Sequence, residues 1–211
     1  RLARPAWPSR ALVAVVVAGV LLIPAGVLAS FYHQQGKARP TDYPPEWYQV
    51  REYLDAQGRD YKVLFFPWHG YMSMSWNTPR FLNPADVFFN QQVIKGENFE
   101  LPGIYSQSTD PVQDYITFLL EHRGQYRNLG ELVAPLGVRY VVLAKEVDYE
   151  RYAFLDQEED LSRVLENDRL VVYENSYQAP RVYAANGVVP ISGWEELLER
   201  SQREAITQNI Y

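Results

Sequence analysis

The chain has 211 residues, no cysteine and a formal charge of −6. Without Cys there are no disulfides, no thiol nucleophile and no cysteine-ligated metal, and setting aside Arg1, Arg4 and Arg10 leaves −9 on the remainder, which argues against nucleic acid as a partner and against tight adsorption to anionic lipid. Sixteen Tyr, nine Phe and five Trp make an aromatic-rich composition that suits carbohydrate contact, an interfacial surface or an economical core.

Residues 11–29 form an uninterrupted apolar run, and no charge falls between Arg10 and Lys37. At about 1.5 Å per residue, roughly 20 helical residues cross a hydrocarbon core about 30 Å thick, so the pattern predicts one transmembrane helix over residues 11–31. Pro24 and Gly26 are ordinary inside membrane helices, and Trp7 and the Phe31, Tyr32 pair suit the two interfacial belts. A secretory signal peptide shares the basic start, but its apolar core usually runs to about 7–15 residues, shorter than this one. The arginines place residues 1–10 in the cytoplasm, which puts residues 32–211 on the far side of the membrane. Further membrane helices are expected upstream of Arg1.

Residues 32–41 read as a linker, and a domain is expected over 42–211. Pro44 and Pro45 open a helix whose apolar positions are Trp47, Val50, Tyr53 and Leu54, and Gly58 stops it. Residues 61–66 are rich in β-formers and close on Pro67, as a first strand would. Residues 68–79 show neither period, and Pro79, Pro84 and Pro102 keep the chain irregular as far as Ser108. Asp110, Pro111 and Gln113 make a capping box for a helix reaching His122, with Val112, Tyr115, Ile116, Leu119 and Leu120 on its apolar face. A second box, Asn128 with Glu131, opens a short helix that Gly137 ends.

Residues 138–144 are almost continuously apolar, which predicts a strand buried on both faces. Residues 148–154 read as loop and 156–161 as a short helix. Residues 161–166 and 169–174 pair as a hairpin around Asn167 and Asp168, and 181–185 and 188–191 look strand-like. Ser192 with Glu195 forms a third capping box for a helix to about Arg203. The sum is an α/β domain with a mixed sheet flanked by helices.

Chemical motifs are scarce: there is no phosphate loop, nucleophile elbow, zinc-protease helix or EF-hand loop. His33, His69 and His122 are isolated in sequence, so no metal or other cofactor is expected. The acidic cluster of Asp148, Glu150, Asp156, Glu158, Glu159 and Asp160 reads as a solvated face. Residues 66–77 are the one place with ligand chemistry, because they follow a strand at its carboxyl end, where α/β sheets place their ligands. Trp68, Tyr71 and Trp76 could stack on a sugar while His69 and Asn77 bond its hydroxyls, or the same side chains could simply pack the loop down. A catalytic base at His69 would need an orienting acid, which the neighbouring sequence does not supply.

A strand ending in Pro67, the "LGVRYVV" strand over residues 136–142 and the "VYEN" strand ending at Asn175, followed by Arg181, together resemble the soluble tail of large polytopic GT-C type glycosyltransferases and their relatives. The resemblance spans residues 44–181 and implies an extracytoplasmic carboxyl-terminal domain at the cell membrane, in an enzyme that uses a polyprenyl-phosphate-linked sugar as donor. No part of the chain matches the family's catalytic acidic loop, so it implies no catalytic residue here. The expected function is non-catalytic and accessory to sugar transfer onto an envelope glycan. The partners expected are the lipid bilayer, upstream helices of the same protein, and a glycan or polyprenyl-phosphate sugar. The alternative is a membrane-anchored interaction or carbohydrate-binding module of the envelope.

Overall fold

Val138–Ala144 is the strand on which the rest is built. In the computed structural model, residues 12–20, 22, 26, 29, 42–97, 100–101, 104–105, 110–177, 179–180, 182 and 184–207 are described. The chain divides into two units, Arg1–Asp42 and Tyr43–Tyr211. In the first, the described residues 12–20, 22, 26 and 29 are helical. Much of the span expected at 11–31, all of residues 1–10 and the linker at 32–41 lie outside the described residues. Among the described residues, no helix is long and apolar enough to cross a membrane.

The second unit runs α1 (Pro45–Ala56), β1 (Lys62–Phe66), β2 (Tyr71–Met74), β3 (Asn77–Leu82), α2 (Ala85–Phe88), β4 (Gln92–Ile94), β5 (Glu100–Leu101), β6 (Ile104–Tyr105), α3 (Pro111–Glu121) and α4 (Leu129–Val133). A 3-10 turn (Ala134–Leu136), β7 (Val138–Ala144), a 3-10 segment (Tyr149–Gln157), β8 (Leu161–Glu166), β9 (Leu170–Asn175) and α5 (Trp194–Ser201) follow. The main sheet has five strands in the order β4-β1-β7-β9-β8. β1 is parallel to β4 and β7, while β9 is antiparallel to β7 and β8. This is the mixed α/β sheet that the pattern of the sequence predicts.

Side-chain alternation along the strands builds a core on each face of the sheet. Leu64, Phe66, Val141, Leu143, Val171 and Tyr173 face one way, under Ile116 and Leu119 of α3, Leu132 of α4 and Leu198 of α5. Val63, Phe65, Tyr140, Val142, Leu170 and Val172 face the other, under Trp47, Val50 and Leu54 of α1 and Phe88 of α2. β7, central and covered on both sides, is buried at six of its seven positions. β8 lies at an edge and is largely exposed, and its Arg163 and Glu166 blunt that edge with charge.

Several elements differ from expectation. Residues 71–82 are an antiparallel hairpin, not irregular chain, because Met72 and Met74 alternate with exposed Ser73 and Ser75 and so give the ribbon a buried face. The edge strand β4 also falls in the stretch expected to be broken up. Residues 149–157, not 156–161, are helical, and of 3-10 type. The described residues of 181–191 contain a single bridge at Val188 and no strand.

The capping boxes are rewired. Asp110 caps α3 by accepting from the Val112 amide, but Gln113 donates to the Lys95 carbonyl and accepts from the Glu97 amide. At α5, Ser192 bonds Glu196, one residue beyond the expected Glu195. At α4 the amides of Leu129, Gly130 and Glu131 donate to Glu158 and Asp160 rather than to the Asn128 side chain. Those two acids are buried, so this part of the acidic cluster is a cap contributed from a distant segment and not a solvated face.

Candidate functional site

β1 and β7 are parallel neighbours, but their carboxyl-terminal connections leave on opposite faces of the sheet. The chain after β1 enters the β2–β3 hairpin, whose Met72 and Met74 pack on the α1 face. The chain after β7 enters the 3-10 segment, whose Tyr152 and Leu155 pack on the α3 face. A crevice opens at such a divergence, outside the carboxyl ends of the strands. Here it is a cavity of about 300 Å³, walled by Trp68, His69, Thr117, Arg123, Asp148 and Tyr152 among others.

Its polar groups are held in place. His69 Nε2 lies 2.9 Å from Asp148 Oδ1, and Arg151 donates to Asp148 Oδ2 at 3.2 Å. Burial alone would raise the Asp148 carboxyl, but the hydrogen bond and charge of His69, with Arg151, hold it below the usual carboxylate range. The Trp68 amide donates to the Tyr152 hydroxyl at 2.7 Å, and its indole N–H donates to Thr117 Oγ1 at 3.2 Å. Thr117 in turn donates to the Gln113 carbonyl at 2.8 Å, so its hydroxyl proton is committed within α3. Tyr152 is buried, which pushes its phenol up to about 12 and keeps it a neutral hydrogen-bonding group.

The peptide joining Trp68 to His69 rests on Gly96, just past β4: a Cβ there would lie 2.6 Å from the His69 nitrogen and the Trp68 carbonyl carbon. All three parallel strands therefore contribute at their carboxyl ends.

Of the five residues singled out from sequence, Trp68 and His69 line this cavity. Tyr71 and Asn77 sit in the hairpin, opposite Leu82 and Met74 respectively. Trp76, at the hairpin turn, packs on the opposite face of the sheet, with its ring 5.3 Å from Tyr43 and 5.8 Å from Trp47. Sequence reasoning read Asp148 as part of a solvated acidic face and missed its pairing with His69, 79 residues away, where it supplies the orienting acid that the neighbouring sequence does not. It missed Tyr152 and Gly96 for the same reason, since none shares a local pattern with its partner.

No family model matches the sequence, and no curated protein does. Solved structures do match. The fold is similar to part of the arabinofuranosyltransferase AftD from Mycobacteria. The match covers 96% of this chain at a TM-score of 0.56 and 15% identity, and it takes in 18% of AftD, so the chain spans about a fifth of that protein. A mutant of AftD matches at a TM-score of 0.55 and 13% identity, over 77% of this chain and 16% of its own. At such identities AftD shares the fold alone. The resemblance to GT-C glycosyltransferases read from the three motif strands is borne out at that level, and those strands are β1, β7 and β9, with Arg181 outside the described residues.

Proposed function

We propose that this chain is the extracytoplasmic, non-catalytic accessory domain of a multi-pass GT-C type glycosyltransferase, tethered to its membrane helices through residues 11–31. The observation that carries the reading is the match of 96% of the chain to only 18% of a glycosyltransferase. A whole domain is shared while most of the enzyme lies elsewhere. In this reading the cavity of Trp68 and His69 contacts the hydroxyls of a glycan or of a polyprenyl-phosphate-linked sugar near the bilayer, with Tyr71, Trp76 and Asn77 fixing the hairpin beside it.

The geometry favours binding over chemistry. His69 with Asp148 has the layout of an oriented base, but the Thr117 hydroxyl is turned to a backbone carbonyl, so proton abstraction here would need a hydroxyl supplied by the ligand itself. An imidazole whose Nε2 is held by an acid presents a ring of fixed orientation to a sugar, with Nδ1 an acceptor in the neutral ring and a donor in the protonated one.

The test is sugar transfer by the parent enzyme carrying His69→Gln or Asp148→Asn, with a polyprenyl-phosphate sugar as donor. The expected result is a five- to tenfold rise in KM for glycan or donor at nearly constant kcat, since a contact made equally in ground and transition states acts on binding. A fall in kcat of about a thousandfold or more in folded enzyme would make His69 catalytic and overturn the reading.

A further inference from the structure

A second cavity lies at the opposite ends of β1 and β7 from His69, roughly 20 Å away by the rise of about 3.3 Å per strand residue. It has a volume of about 470 Å³ and is lined by residues 57–61, Arg139, residues 174–177, Ala179 and Pro180. That size falls within the range of small-molecule sites, about 300–1,000 Å³. Two motif strands end there. Arg139 belongs to "LGVRYVV" and Glu174 to "VYEN", and the Proposed function uses neither.

The wall is built in advance of any ligand. Glu174 Oε1 accepts from Arg139 Nη2 at 2.9 Å and from the Tyr140 hydroxyl at 3.0 Å. The Arg139 guanidinium also lies 5.8 Å from the Tyr61 ring centre and 5.2 Å from that of Tyr140, which fixes its plane. No described hydrogen bond occupies Glu174 Oε2 or the other guanidinium nitrogens, and both side chains are only partly covered, at 34% and 39% exposure. A fixed acceptor thus stands beside a fixed donor.

Tyr177 is set by a second clamp. Its amide donates to Asn175 Oδ1 at 3.0 Å, while the Asn175 amide group donates to the carbonyls of Gly130 and Val138 at 2.7 and 3.0 Å. The half-buried Tyr177 ring and Pro180 give the cavity an apolar side. Arg59 and Arg139 are balanced by Asp60 and Glu174, so the cavity holds no net charge to attract an anion or a cation.

We infer that this cavity, walled by the Arg139–Glu174 pair and Tyr177, is a second binding site, for a neutral saccharide. Adjacent hydroxyls of a sugar both donate and accept, and they match a carboxylate and a guanidinium held side by side. The C–H face of the ring suits Tyr177. An anion at the guanidinium would stand beside the Glu174 carboxylate, and a cation at the carboxylate beside the guanidinium, so an ionic ligand meets a like charge at close range whereas a neutral one does not.

Saturation-transfer NMR on the full chain in detergent micelles tests this, with methyl α-mannopyranoside and maltotriose as neutral probes and glucose 6-phosphate as the charged one. In a His69→Gln background, which removes the contribution of the Trp68–His69 cavity, transfer to a neutral probe is expected, reduced at least fivefold by Glu174→Gln and by Tyr177→Ala. Thermal melts confirm that each variant is folded, and Tyr177→Ala decides alone if loss of the ion pair unfolds Glu174→Gln. Transfer to glucose 6-phosphate alone, transfer to no probe, or equal transfer from folded Tyr177→Ala would overturn the inference. Transfer abolished by His69→Gln and kept by Tyr177→Ala would also overturn it, and would support the His69 cavity instead, so the two readings fail separately.

Discussion

Glu158→Gln should remove a pH dependence that the wild-type domain carries across neutral pH. Glu158 Oε2 accepts from the Leu129 amide at 2.9 Å, while Oε1 is buried with no hydrogen-bond partner among the described residues. Burial pushes this carboxyl up to about 7; the Leu129 bond opposes the shift and the neighbouring Asp160 charge adds to it. The unfolded chain has the ordinary value of about 4.5, so between these two values the folded protein binds the extra proton. Its stabilising effect is therefore full below the unfolded value and lost as pH rises through the folded one. Between pH 5 and pH 8 the two constants give a loss on the order of 2–3 kcal/mol, at about 1.4 kcal/mol per pKa unit. Gln keeps the acceptor for Leu129 and mimics the neutral acid at every pH. Urea melts of both proteins at pH 5 and pH 8 should show the variant gaining on the order of 2–3 kcal/mol on the wild type over that interval. Stability profiles that stay parallel within about 0.5 kcal/mol would refute a buried, proton-binding Glu158.

Four further outcomes are expected. Gly96→Ala should cost about 1–3 kcal/mol by overpacking and displace the Trp68–His69 peptide, visible as lost stability together with altered Trp fluorescence. Tyr152→Phe leaves the buried Trp68 amide without its acceptor, so denaturant melts should show a loss of about 1–3 kcal/mol. Asp148→Asn should cost about 1 kcal/mol at pH 7; because the folded carboxyl is depressed, that stabilisation holds above the ordinary carboxylate value, and the gap to wild type should close as pH falls below about 4. Val147 sits at φ +57°, a left-handed conformation costly for a β-branched residue, so Val147→Gly should be more stable by about 0.5–1 kcal/mol, and a loss of that size would count against the strain.

What the sequence reveals here is what is local. β7 has its expected bounds because six apolar residues, interrupted only by Arg139, follow a glycine that takes the left-handed position, φ +82°. α1 and α3 begin at their prolines, and the β8–β9 hairpin turns at Asn167, whose side-chain oxygen accepts from the amides of Arg169 and Leu170. The β2–β3 hairpin carries a two-residue alternation too, but over four residues, and Pro79 masks it.

The site is a different matter. Asp148 reaches His69 only because β1 and β7 are neighbours in the sheet, and the acids at 158 and 160 reach α4 across about 30 residues of chain. An acid in a run of acids looks solvated, and nothing nearby says that two of them meet a helix end. Capping boxes fail for a related reason: the third residue is free to find a better partner, as Gln113 does at Lys95.

The short stretch after β7 binds the loop after β1 from two sides. Glu146 accepts from the Ser75 amide at 2.9 Å and its hydroxyl at 2.8 Å, on the hairpin side, while Asp148 takes His69 on the other. Val147 between them carries the backbone twist that lets one residue face each way. The arrangement works as a clothes-peg whose jaws are two acids and whose spring is one strained valine. Hairpin and cavity therefore cannot be edited independently. A homologous loop grafted at residues 68–77 would be gripped only if it kept a hydroxyl-bearing turn and a donor to Asp148 at the same separation, and a one-residue insertion at Val147 would release both jaws at once.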